Sequence, residues 1–363
     1  MAKKTLTPLL GVLLVAVSLT AAMAGCENDL MFARDIDDPS RVSIAEPLDF
    51  SKPFKMNRVM GVYVIDRGVN FYRDEFGNYE ISEVRMQQVS CSPGLIGGTY
   101  FGGSNPGYID LNSANPHRHL NWGVSSPGTY FFEFKLTNAK DINGNPLKDS
   151  PVFLMVFIAG RDYALVDVKT AHRMPDGSKV EIDGLVANTA DNFDGFIYSQ
   201  SAYGYAGIRV IPITPIALGT MFTAKGVLGR NGGERTLAIQ EVTKSSPGSP
   251  PKPLFITTKC LGGPGEAINT PSSVGAIGLR TTGMLVKVSG MIRYNTAGDA
   301  FIDDGSGIQN DPETRGCRIA LEDLVEPLAL PSQGFASITG ISGVDHNLLP
   351  VIRPRSADDI QTY

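Results

Sequence analysis

Val180-Glu181-Ile182-Asp183-Gly184-Leu185-Val186 and Val286-Lys287-Val288-Ser289-Gly290-Met291-Ile292 carry one pattern, apolar residues alternating with others around an interior glycine. Alternation at period two marks a half-buried strand, and a glycine inside a strand marks a bend or a bulge. The correspondence continues in the same order. Asp194-Gly195-Phe196-Ile197 answers to Asp299-Ala300-Phe301-Ile302, Gly207-Ile208-Arg209-Val210 to Gly316-Cys317-Arg318-Ile319, and Ala224-Lys225-Gly226-Val227 to Ile338-Thr339-Gly340-Ile341. Ordered matches at a nearly constant separation indicate an internal duplication. A first strand that bends to pair with both halves of a small sheet is what a closed five-stranded barrel requires.

Upstream of the duplication the pattern is again that of strands. Tyr130, Phe132, Phe134 and Leu136 alternate with positions that include Glu133 and Lys135, and Asp141-Ile142-Asn143-Gly144-Asn145-Pro146 supplies turn residues before the apolar run Val152 to Ala159. This hairpin resembles the last hairpin of bacterial Ig-like domains, and Met60 to Ile65 and Tyr79 to Val84 would add strands to the same sandwich. The fold class expected is therefore all-β: an N-terminal Ig-like β-sandwich over 48–165, an OB-like barrel over 166–245, a Pro/Gly-rich connector over 246–278 and a second five-stranded OB-like barrel over 279–363. The chain has 40 Gly, 24 Pro and only 19% charged residues, and helical periodicity is hard to find after residue 45. Pro212 to Gly219, where OB barrels often carry a helix, reads as a loop. Asp194-Gly195-Phe196-Ile197-Tyr198, Gly207-Ile208-Arg209-Val210, Asp303-Asp304-Gly305-Ser306-Gly307 and Arg355-Ser356-Ala357-Asp358-Asp359-Ile360 resemble tandem OB-like modules of large secreted proteins of environmental bacteria, a resemblance that implies a fold and no activity.

The N-terminus predicts a location. Lys3 and Lys4 precede a charge-free apolar stretch that ends at Met23-Ala24-Gly25-Cys26, and the polar Glu27-Asn28-Asp29 follows. A basic start, a short apolar run and small residues are the marks of an export signal. The cysteine after the small pair resembles the lipoprotein signal of bacteria, which implies removal of 1–25, acylation of Cys26 and a membrane held as partner through the acyl chains. Residues 26–47 read as a polar, acidic tether. The resemblance implies a lipid-anchored cell-envelope protein, with Glu27 in place of Asp favouring the outer membrane or cell surface over the cytoplasmic membrane.

Ligand-binding OB barrels use the face of strands two and three, framed by neighbouring loops. In the first copy this region carries Phe196, Tyr198, Tyr203, Tyr205, Arg209 and Arg230, rings and guanidinium groups suited to stacking on a sugar or a base. From Lys169 onward 17 Lys plus Arg stand against 19 Asp plus Glu, an acidic balance that disfavours nucleic acid. The function expected is a non-catalytic binding or scaffold module that engages another envelope protein or a glycan. The alternative is an accessory glycan- or single-stranded nucleic-acid-binding protein using the first barrel. No nucleophile elbow, phosphate loop or zinc motif occurs, so no catalytic residue, metal ligand or cofactor is assigned. His117-Arg118-His119 has no acidic or cysteine partner close in sequence, and Asp141 to Val152 lacks the final glutamate of a calcium loop and reads as a turn. Asp303-Asp304 likewise reads as a turn. Beyond Cys26 the chain has Cys91, Cys260 and Cys317, for which three free thiols are expected, Cys260 with Cys317 being the one pair to consider.

Overall fold

A computed structural model describes residues 29–45, 53–73, 77–98, 100–102, 107–189, 195–262, 279–324, 330–331, 334–345 and 348–363. The signal expected over 1–25 and the Cys26 position lie outside the described residues. The chain forms two compact units, Met1–Ala164 and Leu165–Tyr363.

The first unit is an Ig-like β-sandwich. Its larger sheet runs in the order Phe101–Gly102, Ile96–Gly97, Asn121–Val124, Val62–Asp66, Phe54–Val59, Phe153–Ala159, Gly128–Asp141, Ile81–Cys91, Tyr108–Asn112. The smaller sheet runs His117–Arg118, Val69–Phe71, Leu30–Arg34, Val42–Ile44. The hairpin read from sequence pairs antiparallel from Gly128↔Ala159 to Phe134↔Phe153, and its inward residues Phe132, Phe134 and Leu136 are buried. Trp122, the single tryptophan, fills the centre, with ring centroids 4.7 Å from Phe132 and 4.9 Å from Phe157.

Three features of this unit differ from the sequence reading. The tether expected over 26–47 holds two strands, Leu30–Arg34 and Val42–Ile44, because Leu30, Phe32 and Val42 are apolar residues that enter the common core. The stretch Gly102 to Gly128, whose Gly, Asn, Ser and Pro content reads as a long exposed loop, contains Tyr108–Asn112, His117–Arg118 and Asn121–Val124, the last carrying Trp122 inward. The strand expected from Met60 starts at Val62. Met60 and Gly61 both have positive φ (48° and 89°) and form the two-residue turn that joins Phe54–Val59 to Val62–Asp66.

The second unit contains two closed barrels. In the first the strands are Lys179–Ala187, Ile197–Ser201, Gly207–Ile211, Met221–Asn231 and Glu234–Ser246. They are hydrogen-bonded in the order first, second, third, fifth, fourth, and the first also pairs with the fourth, which closes the sheet. The second barrel repeats the order with Leu285–Tyr294, Ala300–Asp303, Cys317–Ile319, Gly334–Val344 and Pro350–Arg353. In each the third and fifth strands are parallel and the other pairs antiparallel, the connectivity of an OB-like barrel. The interior is supplied by alternate residues, Val180, Ile182 and Leu185 in one barrel and Val286, Val288 and Ile292 in the other.

The paired glycines act by two routes. Gly184 (φ 65°) sits in a bulge where the first strand skips register between Ile182 and Leu185. Gly290 lies in an unbroken ladder, but a Cβ there would fall 2.5 Å from the Asp303 carbonyl oxygen. Pro212 to Gly219 contains no helix, as expected. The one α-helix among the described residues, Val168–Arg173, precedes the first barrel and is capped by the Asp167 side chain, which accepts from the Thr170 amide at 2.7 Å. The connector expected over 246–278 also contributes structure, since Leu254–Phe255 pairs parallel with the first strand of the second barrel and Leu261 enters its core.

Candidate functional site

Tyr198 and Arg209 face each other across the second and third strands of the first barrel. The antiparallel pairing of these two strands thus brings them together, but neither looks out from an open face. Tyr198 is 1% exposed and packs with Leu285 and Ile341 of the second barrel. Its hydroxyl donates to Glu234 Oε2 at 2.6 Å, and Glu234 is itself 2% exposed. The other carboxylate oxygen of Glu234 accepts from the Val344 amide of the second barrel at 2.8 Å. Arg209 Nη1 lies 3.7 Å from Glu234 Oε2, and Arg353, which donates to the Val344 carbonyl at 2.7 Å, completes the cationic side.

Glu234 follows the turn Asn231-Gly232-Gly233, where both glycines have positive φ, and so the tip of the hairpin joining the fourth and fifth strands delivers a carboxylate to the neighbouring barrel. Burial pushes its carboxyl above the usual range, against the Tyr198 hydroxyl, Arg353, the Val344 amide and Arg209, which all favour the anion. The Tyr198 phenol is pushed well up, first by burial and then by Glu234.

The rest of the junction is backbone on backbone. A Cβ on Gly207 would fall 2.1 Å from the Gly283 carbonyl carbon, and one on Gly283 2.5 Å from the Ile208 nitrogen. Asn188 donates to the Gly283 carbonyl at 2.9 Å, and the Leu285 amide donates to Gln200 Oε1 at 3.1 Å. These contacts cover the face of strands two and three around Tyr198 and Gly207, part of the face that OB barrels present to ligands, while Ile211 at the end of strand three stays exposed.

The remaining candidates are divided. Phe196 lies under the Arg209 guanidinium, 3.4 Å from ring centroid to Cζ, and edge-on to Tyr198 at 5.5 Å. Arg230 is set apart from them, with Nε 3.5 Å from Asp176 Oδ1 beside Arg235, which holds the same carboxylate and donates to the His172 and Met174 carbonyls. Tyr203 and Tyr205 are the open rings, 76% and 65% exposed, in the loop between strands two and three. Tyr203 lies over Gly184, where a Cβ would meet its ring at 2.2 Å. The repeated arginine has diverged: Arg318 pairs with Glu322 at 2.7 Å and Asp299 at 3.6 Å within its own barrel.

Elsewhere, Asp141 accepts from the amides of Asn143 and Asn145, each at 2.9 Å, and from the Asn145 side chain at 3.0 Å, the arrangement of a turn. Asp304 likewise accepts from Thr258 and Ser306. His117 and His119 do have acidic partners, distant in sequence: Asp29 at 2.8 Å and Asp66 at 3.1 Å. Among the described residues no group of three or more His, Cys, Asp or Glu is arranged to hold a metal ion. Cys91, Cys260 and Cys317 are free thiols, and burial pushes the Cys91 thiol up to about 11. Comparison with family models, curated proteins and solved structures finds no match for the chain.

Glu234→Ala removes the acceptor of Tyr198 and the anion facing Arg209 and Arg353, and breaking a buried pair in this way costs about 3–5 kcal/mol. Because Trp122 belongs to the sandwich, tryptophan fluorescence should report an unchanged transition for that unit, while circular dichroism shows the barrels melting earlier.

His172, buried in the helix below the first barrel, donates from Nε2 to the Gly207 carbonyl at 2.7 Å. Burial and the nearby Arg280 lower its pKa from 6.5 to about 3, so between these values the unfolded chain carries a proton that the folded one lacks. Its contribution is present above the unfolded pKa and lost as pH falls, at up to about 1.4 kcal/mol per pH unit. Glu234 acts with the opposite sign, which makes the difference between parent and His172→Gln the informative quantity. Urea midpoints of the barrel transition should depend less steeply on pH below 6.5 in the variant, and equal slopes would contradict the assignment.

Proposed function

We propose that the protein is a lipid-anchored, non-catalytic scaffold of the cell envelope, in which two OB-like barrels form one body that engages another envelope protein. The observation that carries this reading is the covered face: strands two and three of the first barrel are occupied by the second barrel through Tyr198, Glu234 and Val344. A barrel whose ligand face is used to hold its neighbour is suited to presenting a fixed surface. The anchor rests on Lys3, Lys4, the apolar stretch and Cys26 in the sequence. Among the described residues no helix is long and apolar enough to cross a membrane. The outer membrane or cell surface is the proposed location.

A second reading, an accessory glycan binder, is favoured by Tyr203 and Tyr205, whose rings stand exposed on one loop. Nucleic acid is a weaker version of it, because the acidic balance of the barrels opposes a polyphosphate.

Cys26→Ser tests the anchor. The parent should incorporate labelled palmitate and partition into detergent, and the variant should do neither. Palmitate labelling that survives the substitution would refute lipidation at Cys26. For the second reading, the double variant Tyr203→Ala, Tyr205→Ala should lose retention on immobilised envelope polysaccharide without a change in melting temperature. A parent that is not retained at all would remove the glycan reading.

A further inference from the structure

Only Glu27 and Asn28 separate Cys26 from Asp29, and Asp29 is already built into the sandwich. Its carboxylate accepts from the Gly68 amide at 3.1 Å and lies 2.8 Å from His117 Nε2, and the next residue, Leu30, donates from its amide to the Gly68 carbonyl at 2.9 Å. Leu30–Arg34 is an interior strand of its sheet, held on one side by Val69–Phe71 and on the other by Val42–Ile44. Three residues of chain reach at most about 11 Å, while the headgroup layer of a bilayer is roughly 5–7 Å deep. A lipidated Cys26 therefore leaves almost no slack between the membrane and the edge of the sandwich.

The residues level with Asp29 are fixed by register. Leu30 pairs with Val69 and Val69 with Arg118, so that Asp29, Gly68 and His119 share one end of the sheet. The acidic groups there turn inward, Asp29 buried against His117 and Asp66 partly buried against His119. Among the described residues of this end, Arg118 and His119 face solvent. Arg67, half-buried beside them, lies over the Phe54 ring at 4.8 Å.

We infer that this edge, Asp29, Gly68 and His117 to His119, rests on the bilayer, with Arg118 set against anionic headgroup phosphates. The inference depends on acylation at Cys26 and adds the orientation of the protein on the membrane. An anionic surface attracts basic side chains within a Debye length, and the short link holds Arg118 inside that range.

The test uses the full-length acylated protein in nanodiscs of phosphatidylethanolamine and phosphatidylglycerol, with phenylglyoxal as the probe and mass spectrometry as the readout. Arg118 should react several-fold more slowly than in a variant carrying a Gly/Ser insertion of about 20 residues between Asn28 and Asp29, which adds a reach of roughly 25 Å. Arg58, at the other end of the hairpin Phe54–Val59 and Val62–Asp66, should react alike in both. Equal Arg118 rates in parent and insertion variant, with palmitate label present and the protein bound to the disc, would overturn the docking edge while leaving the anchor intact. Absence of palmitate label would defeat the anchor and this inference with it.

Discussion

The buried carboxylate of Glu234 is the constraint on which the double-barrel unit turns. Removing a charge from water is expensive unless hydrogen bonds and opposite charge replace the lost solvation. Here the replacements come from both barrels: the Tyr198 hydroxyl and Arg209 from one, the Val344 amide and Arg353 from the other. Neither barrel satisfies the group alone, so its environment holds together only while the two are docked. The glycine pair Gly207 and Gly283 allows the approach, since either side chain would drive the backbones apart.

This arrangement changes what the duplication means. Two copies of one barrel begin with the same strand order and the same arginine in the third strand, but Arg209 now faces the junction while Arg318 is held by Glu322 and Asp299 inside its own barrel. In the first copy the residues beside this arginine are covered by the second barrel. The rings left outside, Tyr203 and Tyr205, lie on a loop next to the Gly184 bulge, at a different place from Tyr198.

The barrels were legible because alternation and strand-interior glycines are local signals, and the repeat doubled each of them. Glu234 was not legible. It follows Asn231-Gly232-Gly233, which reads as an exposed hairpin tip, and its burial depends on Val344, a residue more distant in sequence than any local pattern reaches. The same limit explains the exposed platform expected from Tyr198 and Arg209: the register placed them side by side, and nothing local announced the cover. In the sandwich, composition was the misleading signal. Acidic residues from Asp35 to Asp38 made 26–47 resemble a tether and masked the alternation of Leu30 and Phe32, and the Gly, Asn and Pro around Trp122 hid a strand whose side chain is the centre of the core.

The most direct test of the junction is hydrogen exchange at two amides whose bonds cross it, Val344 to Glu234 and Leu285 to Gln200. If the barrels are held as one body, both amides exchange as slowly as those in the barrel ladders, and they lose protection together. Exchange at the rate of an open loop, with the ladders on either side still protected, would mean that the barrels part readily and that the face of strands two and three is available after all.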